Sequence, residues 1–305
     1  MSRALLITGA TGKQGGSVIK ALLDAKADFQ ILAVTRNASS ASAKRLAAKS
    51  SNIVLVEGNL DDADGVFENA KKATSQPIWG VFSVQALALN KTGPVIEERQ
   101  GKALVDAALK HGVKHFVYSS VDRHGARSSD NPTSVPHFAS KHRIEQHLMQ
   151  SARGADMGWT VLRPVAFMEN FDGGLVGKIF ATAWKVAVRS RPLQLVATAD
   201  IGAFAVKAFT APPEEEFNEK CISLAGDELT WEQMASVFRQ KTGSEVPLTW
   251  GFVARFVLWL SREMGTMFDF FEKEGYGADI EELRKMHPDL QDFGTWLERS
   301  IYMKQ

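Results

Sequence analysis

The chain has 305 residues, 45% hydrophobic and 23% charged, proportions that exclude a disordered or fibrous protein. Its net charge of +1 supplies no global field for nucleic acid or an anionic membrane. The single cysteine, Cys221, excludes an intrachain disulfide and a Cys-based zinc site and fits a reducing, cytoplasmic setting.

The N-terminal half alternates two periods. Ala4 to Thr8 is a short apolar run, as in a buried parallel strand. Apolar residues then recur at helical spacing from Lys13 to Ala25. Strand runs follow at Phe29–Val34, Ile53–Val56, Ile78–Val84, His115–Tyr118 and Trp159–Leu162. Helical stretches separate them at about 41–49, 63–73, 94–111 and 138–152. This alternation predicts βαβ units in a doubly wound α/β sheet of six parallel strands. Asp61 and Asp200 are placed to cap helices. The second half reads as a helix-rich cap with one short strand at Cys221–Leu224. Thr230 opens a helix there, and an aromatic-rich helix is expected between Phe252 and Phe271. Core packing or a homodimer contact is the first reading of that aromatic helix, ahead of Phe252, Phe256, Trp259 and Phe268 lining a substrate site with Phe167 and Phe171. No run approaches the ~18 apolar residues that would span a bilayer.

Residues 9–16 read GATGKQGG, directly after the first strand and opening the first helix. Gly9 serves the sharp turn, Gly12 lets backbone approach a pyrophosphate, and Gly15 lets helix and strand pack closely. The helix amino end offers free N–H groups to phosphate. The first domain, residues 1–165, is therefore expected to bind a dinucleotide, and residues 166–305 to form a substrate or cap domain interleaved with it. After the second strand stands Arg36 rather than an acid. A guanidinium cannot accept from a ribose hydroxyl but grips a 2′-phosphate, so NADP(H) is expected over NAD(H). Ser39, Ser40 and Lys44 add donors nearby, and Asn59 and Leu60 after the third strand border the adenine.

A short-chain dehydrogenase carries Tyr-x-x-x-Lys after the fifth strand. None of Tyr118, Tyr276 and Tyr302 has a lysine four residues on. At the expected place stand His137 and Lys141, one helical turn apart and on one face. Lys141 can hold a nicotinamide ribose, and His137 can supply a proton or pack at the helix start. Ser119 and Ser120 are open to a substrate hydrogen bond or to strand-end bonding. No spacing of histidines suggests a metal.

Taken in order, GATGKQGGSV, VTRN, GNLDD, ERQGK, HFASK and FMENF resemble the NmrA-like family of atypical short-chain dehydrogenases. The resemblance implies Gly9, Ala10, Thr11, Gly12, Lys13 and Gln14 around the pyrophosphate, and Arg36 on the 2′-phosphate. It places Lys141 beside the nicotinamide, with Phe167, Met168, Glu169 and Asn170 closing over it. Val84, Gln85 and Arg99 fall along the expected cofactor path. The family holds both oxidoreductases and redox-sensing regulators. The expectation is an NADP(H)-dependent oxidoreductase acting on a small molecule. The rival is a catalytically silent sensor that reads NADPH/NADP+ through a protein partner, cytoplasmic or nuclear. Direct nucleic-acid binding and membrane association are not expected from the balanced charge.

Overall fold

The computed structural model describes residues 3–86, 92–189, 191–211 and 217–303. In chain order the first half contains β1 (Arg3–Ile7), α1 (Lys13–Asp24), β2 (Phe29–Thr35), α2 (Ala41–Ala47), β3 (Ile53–Glu57), α3 (Ala63–Ala73), β4 (Ile78–Ser83), α4 (Gly93–Lys110), β5 (His115–Ser119), α5 (Pro136–Ala152) and β6 (Gly158–Pro164). The second half contains β7 (Ala166–Phe167), α6 (Gly174–Ala187), β8 (Leu193–Val196), α7 (Thr198–Thr210), β9 (Lys220–Leu224), β10 (Asp227–Leu229), α8 (Trp231–Thr242), α9 (Gly251–Leu260), α10 (Arg262–Lys273), α11 (Ile280–Met286) and α12 (Phe293–Arg299).

The main sheet has seven strands in the order β3-β2-β1-β4-β5-β6-β9, all paired in parallel. The expected count of six is corrected by β9, the short strand around Cys221, which joins the edge beside β6. The strand order reverses between β1 and β4, which opens a crevice at their carboxyl ends. Period-two alternation along β1 divides the core. Leu5 and Ile7 pack on the face covered by α1 and α7, with Phe204 and Phe209. Ala4 and Leu6 pack on the opposite face with Val66, Leu104 and Ile144. Helix α7 and strand β9 follow residue 166 yet belong to these layers.

The small sheet β10-β8-β7 and helices α6, α8, α10 and α12 enclose a separate aromatic core of Phe171, Phe180, Trp184, Phe268, Phe271 and Phe293. A fully buried aromatic of this kind contributes roughly 1.5–3 kcal/mol by area. The long aromatic helix is corrected to two, α9 and α10, because Ser261 accepts from Met264 N and starts a new helix. Two caps also move. Asp62, not Asp61, accepts from Gly65 N to start α3. Asp200 lies inside the first turn of α7 and accepts from the Gln291 backbone and side chain instead. Thr230 starts α8 as expected, with a full capping box closed by Gln233. No helix among the described residues is long and apolar enough to cross a membrane.

Candidate active site

The crevice at the β1/β4 reversal is tied by one side chain. Thr8 Oγ1 donates to Val84 O at 2.9 Å and accepts from Val84 N at 2.8 Å. The next residue, Gly9, has φ +59, and a Cβ there would lie 2.7 Å from Val84 Cγ1. A Cβ on Gly15 would lie 2.4 Å from Gly9 O, so α1 seats on the turn only with glycine at that position. Gly12 precedes α1 without a side-chain cap, and the first turn holds no acidic residue. The positive end of α1 is therefore left for an anion. Ala10 is buried, while Thr11, Gly12 and Lys13 are exposed along this turn. Lys13 Nζ donates to Glu169 O at 2.6 Å and lies 3.5 Å from Asp172 Oδ2, joining the turn to the 168–171 segment. Gln14 Oε1 accepts from Ser119 Oγ.

Across the turn, Arg36 is exposed at the end of β2. Two neighbouring hydroxyls already have local partners. Ser39 Oγ donates to Asn37 Oδ1 at 2.6 Å, and Ser40 Oγ caps α2 by accepting from Ala43 N. Asn59, preceding Leu60, turns its amide onto Asp61. Arg99 reaches the same carboxylate, so its guanidinium is engaged by the Asn59–Asp61 loop. The Gln100 amide, with Asn59 and Arg99, holds Asp61 below the usual carboxylate range.

On the other side, α5 carries His137 and Lys141 into one cavity of about 470 Å³. Lys141 Nζ lies 3.0 Å from Glu97 Oε1 and 3.4 Å from Ser119 O. It also stands over the Tyr118 ring, 5.7 Å from its centroid. Glu97 is buried on α4, and its other oxygen accepts from Ser140 Oγ. His137 Nδ1 lies 2.6 Å from Glu263 Oε2 in the first turn of α10, with both side chains buried. With Nδ1 turned to the carboxylate, Nε2 is the nitrogen left for another partner. Neither glutamate was singled out from sequence. Glu97 had a signal, since Pro94, Glu97, Gly101, Leu104 and Ala108 recur at helical spacing on one buried stripe.

The remaining wall is apolar, with Phe138, Phe167, Phe180, Met264, Met267 and Phe271. Gln85 adds a polar point. Its Nε2 donates to Ser83 Oγ at 2.9 Å, and its buried Oε1 has no partner among the described residues. Tyr276 also lines the cavity, but burial and the charge of Asp122 push its phenol well above the ordinary value. It does not replace the acidified phenol of a Tyr–Lys pair.

Within the closing segment the structure separates the residues. Phe167 and Asn170 line the cavity. Met168 is corrected to a core residue of the cap. The Glu169 carboxylate is likewise turned away, accepting from Thr198 N and Trp296 Nε1, and burial raises its pKa. Ser120 reaches the cavity wall, but its hydroxyl donates to Glu145 within a buried network with Arg123 and Arg163. Among the described residues no His, Cys, Asp or Glu cluster could hold a metal ion. A second cavity of about 350 Å³ beside His115 and Gly158 lies at the amino ends of the strands, opposite the ligand-binding edge of such sheets.

The chain spans about half the length of the first curated relatives it matches. One is the NmrA-like family domain-containing oxidoreductase ptmS of Penicillium ochrochloron, 32% identical over 179 residues, covering 55% of this chain and 48% of that protein. Among solved structures, the triphenylmethane reductase of Citrobacter sp. complexed with NADP(H) superposes with a TM-score of 0.72 at 19% identity, covering 99% of this chain and 100% of that one. The negative transcriptional regulator NmrA in complex with NAD superposes with a TM-score of 0.73 at 17% identity, covering 99% and 96%. These structures share the fold. The NmrA-like family model matches residues 1–297, and the chain belongs to that family.

Proposed function

We propose that this chain is an NADP(H)-dependent oxidoreductase that reduces a small organic carbonyl, quinone or imine. The observation that carries the reading is the open apolar cavity of about 470 Å³ into which Lys141 and His137 both project. Neighbours solved with NADP(H) or NAD and an oxidoreductase relative add support.

The residues present fit a dinucleotide. Its phosphates would lie on the uncapped amino end of α1, where Gly9, Gly12 and Gly15 keep side chains out of the way. Arg36 would answer the 2′-phosphate. The orphaned Gln85 Oε1 would accept from a ligand N–H. When bound, the cofactor supplies the hydride. Lys141, anchored by Glu97, would hold the reacting end in register with the cavity. His137, oriented by Glu263, would deliver a proton from Nε2 to the substrate heteroatom as hydride arrives. The apolar wall would exclude water from that transfer.

NADPH oxidation followed against a panel of aldehydes, quinones and imines tests this. Turnover that is lost in His137→Gln with NADPH binding intact supports the reading. Tight NADPH binding with no oxidation across the panel contradicts it and leaves a redox-reading binding protein, the role favoured by the missing tyrosine.

A further inference from the structure

Helix α9 is built almost entirely of apolar residues, GFVARFVLWL, yet buries only Ala254. Phe252, Phe256, Trp259 and Leu260 are exposed, as is the preceding Trp250, and Trp259 is 78% exposed. A helix of this composition ordinarily turns its apolar residues inward. Here the rings pair with one another at the surface, Trp250 on Phe252 and Phe256 beside Trp259, each with centroids 5.9 Å apart. Helix α6 packs against α9 and extends the patch with exposed Leu175 and Val176. Such a contiguous patch marks an interaction face.

Charge selects the occupant. From Gly173 to Val188 and from Val246 to Arg262 there is no Asp or Glu, while Lys178, Lys185, Arg255 and Arg262 are present. All four are exposed. The bordering Asp172, Glu245 and Glu263 face Lys13, Arg239 and His137. The chain as a whole is neutral to within one charge, so this segregation is invisible in its net charge. A symmetric contact between two copies of this face would bring its cations together. An anionic lipid surface complements them, and Trp and Phe are the residues that settle at the headgroup boundary.

We propose that α9 and the adjoining turn of α6 dock the protein on an anionic phospholipid surface. Val176 and Val257 also line the cavity, so docking would bring the cavity mouth to the lipid boundary and favour lipophilic substrates dissolved there. The docking itself does not depend on the redox reading and is tested without turnover.

The purified full chain is floated with phosphatidylcholine vesicles, with and without about one-third phosphatidylglycerol, at low and high salt. Retention on anionic vesicles at least about tenfold above neutral ones, falling with salt, is expected. Trp250→Gln/Trp259→Gln should reduce that retention at least about tenfold while leaving the melting temperature and the NADPH dissociation constant unchanged. Absence of flotation, or flotation unaffected by the double variant, overturns the proposal. So does sedimentation showing a dimer that the double variant disperses together with no vesicle binding, which would assign the face to a second copy.

Discussion

His137 on α5 and Glu263 on α10 lie 126 residues apart in sequence, yet His137 Nδ1 stands 2.6 Å from Glu263 Oε2. The contact joins the sheet's helix layer to the cap at the edge of the cavity. It fixes which imidazole nitrogen faces outward, where a family with the usual tyrosine would present a phenol. His137→Gln is therefore expected to lower kcat roughly 10²–10⁴-fold with little change in NADPH affinity. Glu263→Gln should lower kcat less, because the ring loses its orienting carboxylate but keeps Nε2. An unchanged kcat in Glu263→Gln would separate the two residues functionally.

Lys141 and Glu97 form a pair with side chains 11% and 0% exposed. Lys141→Met strands the Glu97 charge in the interior and is expected to destabilise the fold by about 3–5 kcal/mol. Adding Glu97→Gln should recover much of that stability without recovering turnover. Thermal melting and NADPH oxidation on the single and double variants measure the two effects separately.

Arg36→Ala is expected to raise the NADPH dissociation constant roughly 10–100-fold, the range for losing a charge-assisted contact of about 1.5–3 kcal/mol. NADH binding should hardly move. Equal losses for the two cofactors would remove the guanidinium from the 2′-phosphate.

Gly15→Ala places a Cβ 2.4 Å from Gly9 O, a methyl group against backbone. We expect a loss of about 1–3 kcal/mol in stability together with weakened dinucleotide binding. Gly112→Ala is a control for backbone effects alone, since φ is +72 there but no atom lies within 4 Å of the added Cβ.

His115 supplies a pH prediction. Its Nε2 lies 3.0 Å from Thr160 Oγ1, whose proton goes to Phe217 O, so Nε2 carries the imidazole hydrogen. Burial lowers the pKa from 6.5 to about 4. The unfolded chain therefore binds a proton between those values that the folded chain does not. Stability from this group is fully present above pH 6.5 and is lost as pH falls toward 4, a loss on the order of 3 kcal/mol. Denaturant melts across that window, compared with His115→Gln, should show a flatter pH dependence in the variant.

The sequence was most informative where structure is local. The β1–turn–α1 unit, the Thr230 cap and the common face of His137 and Lys141 follow from spacing within a few residues. The one-residue shift of the α3 cap from Asp61 to Asp62 arises because Asp61 is held by Arg99 and Gln100 from α4. The seventh strand was visible as a strand, but its place beside β6 depends on where the chain returns after α7. Met168 and Glu169 sit in a motif with Phe167 and Asn170, but the short helical turn at 168–171 sends Met168 and Phe171 to the core and leaves only Asn170 of its residues on the cavity. Glu263 could not be paired with His137 from sequence, because the pairing rests on how α10 packs across the cavity. Ser261, a readable cap, already marked where α10 begins.

In the proposed reading the glycine turn and Arg36 hold NADP(H) beside the cavity. Isothermal titration of the purified chain with NADPH and with NADH measures this. One site per chain that binds NADPH at least about tenfold more tightly than NADH is expected. No detectable heat with either dinucleotide would contradict it.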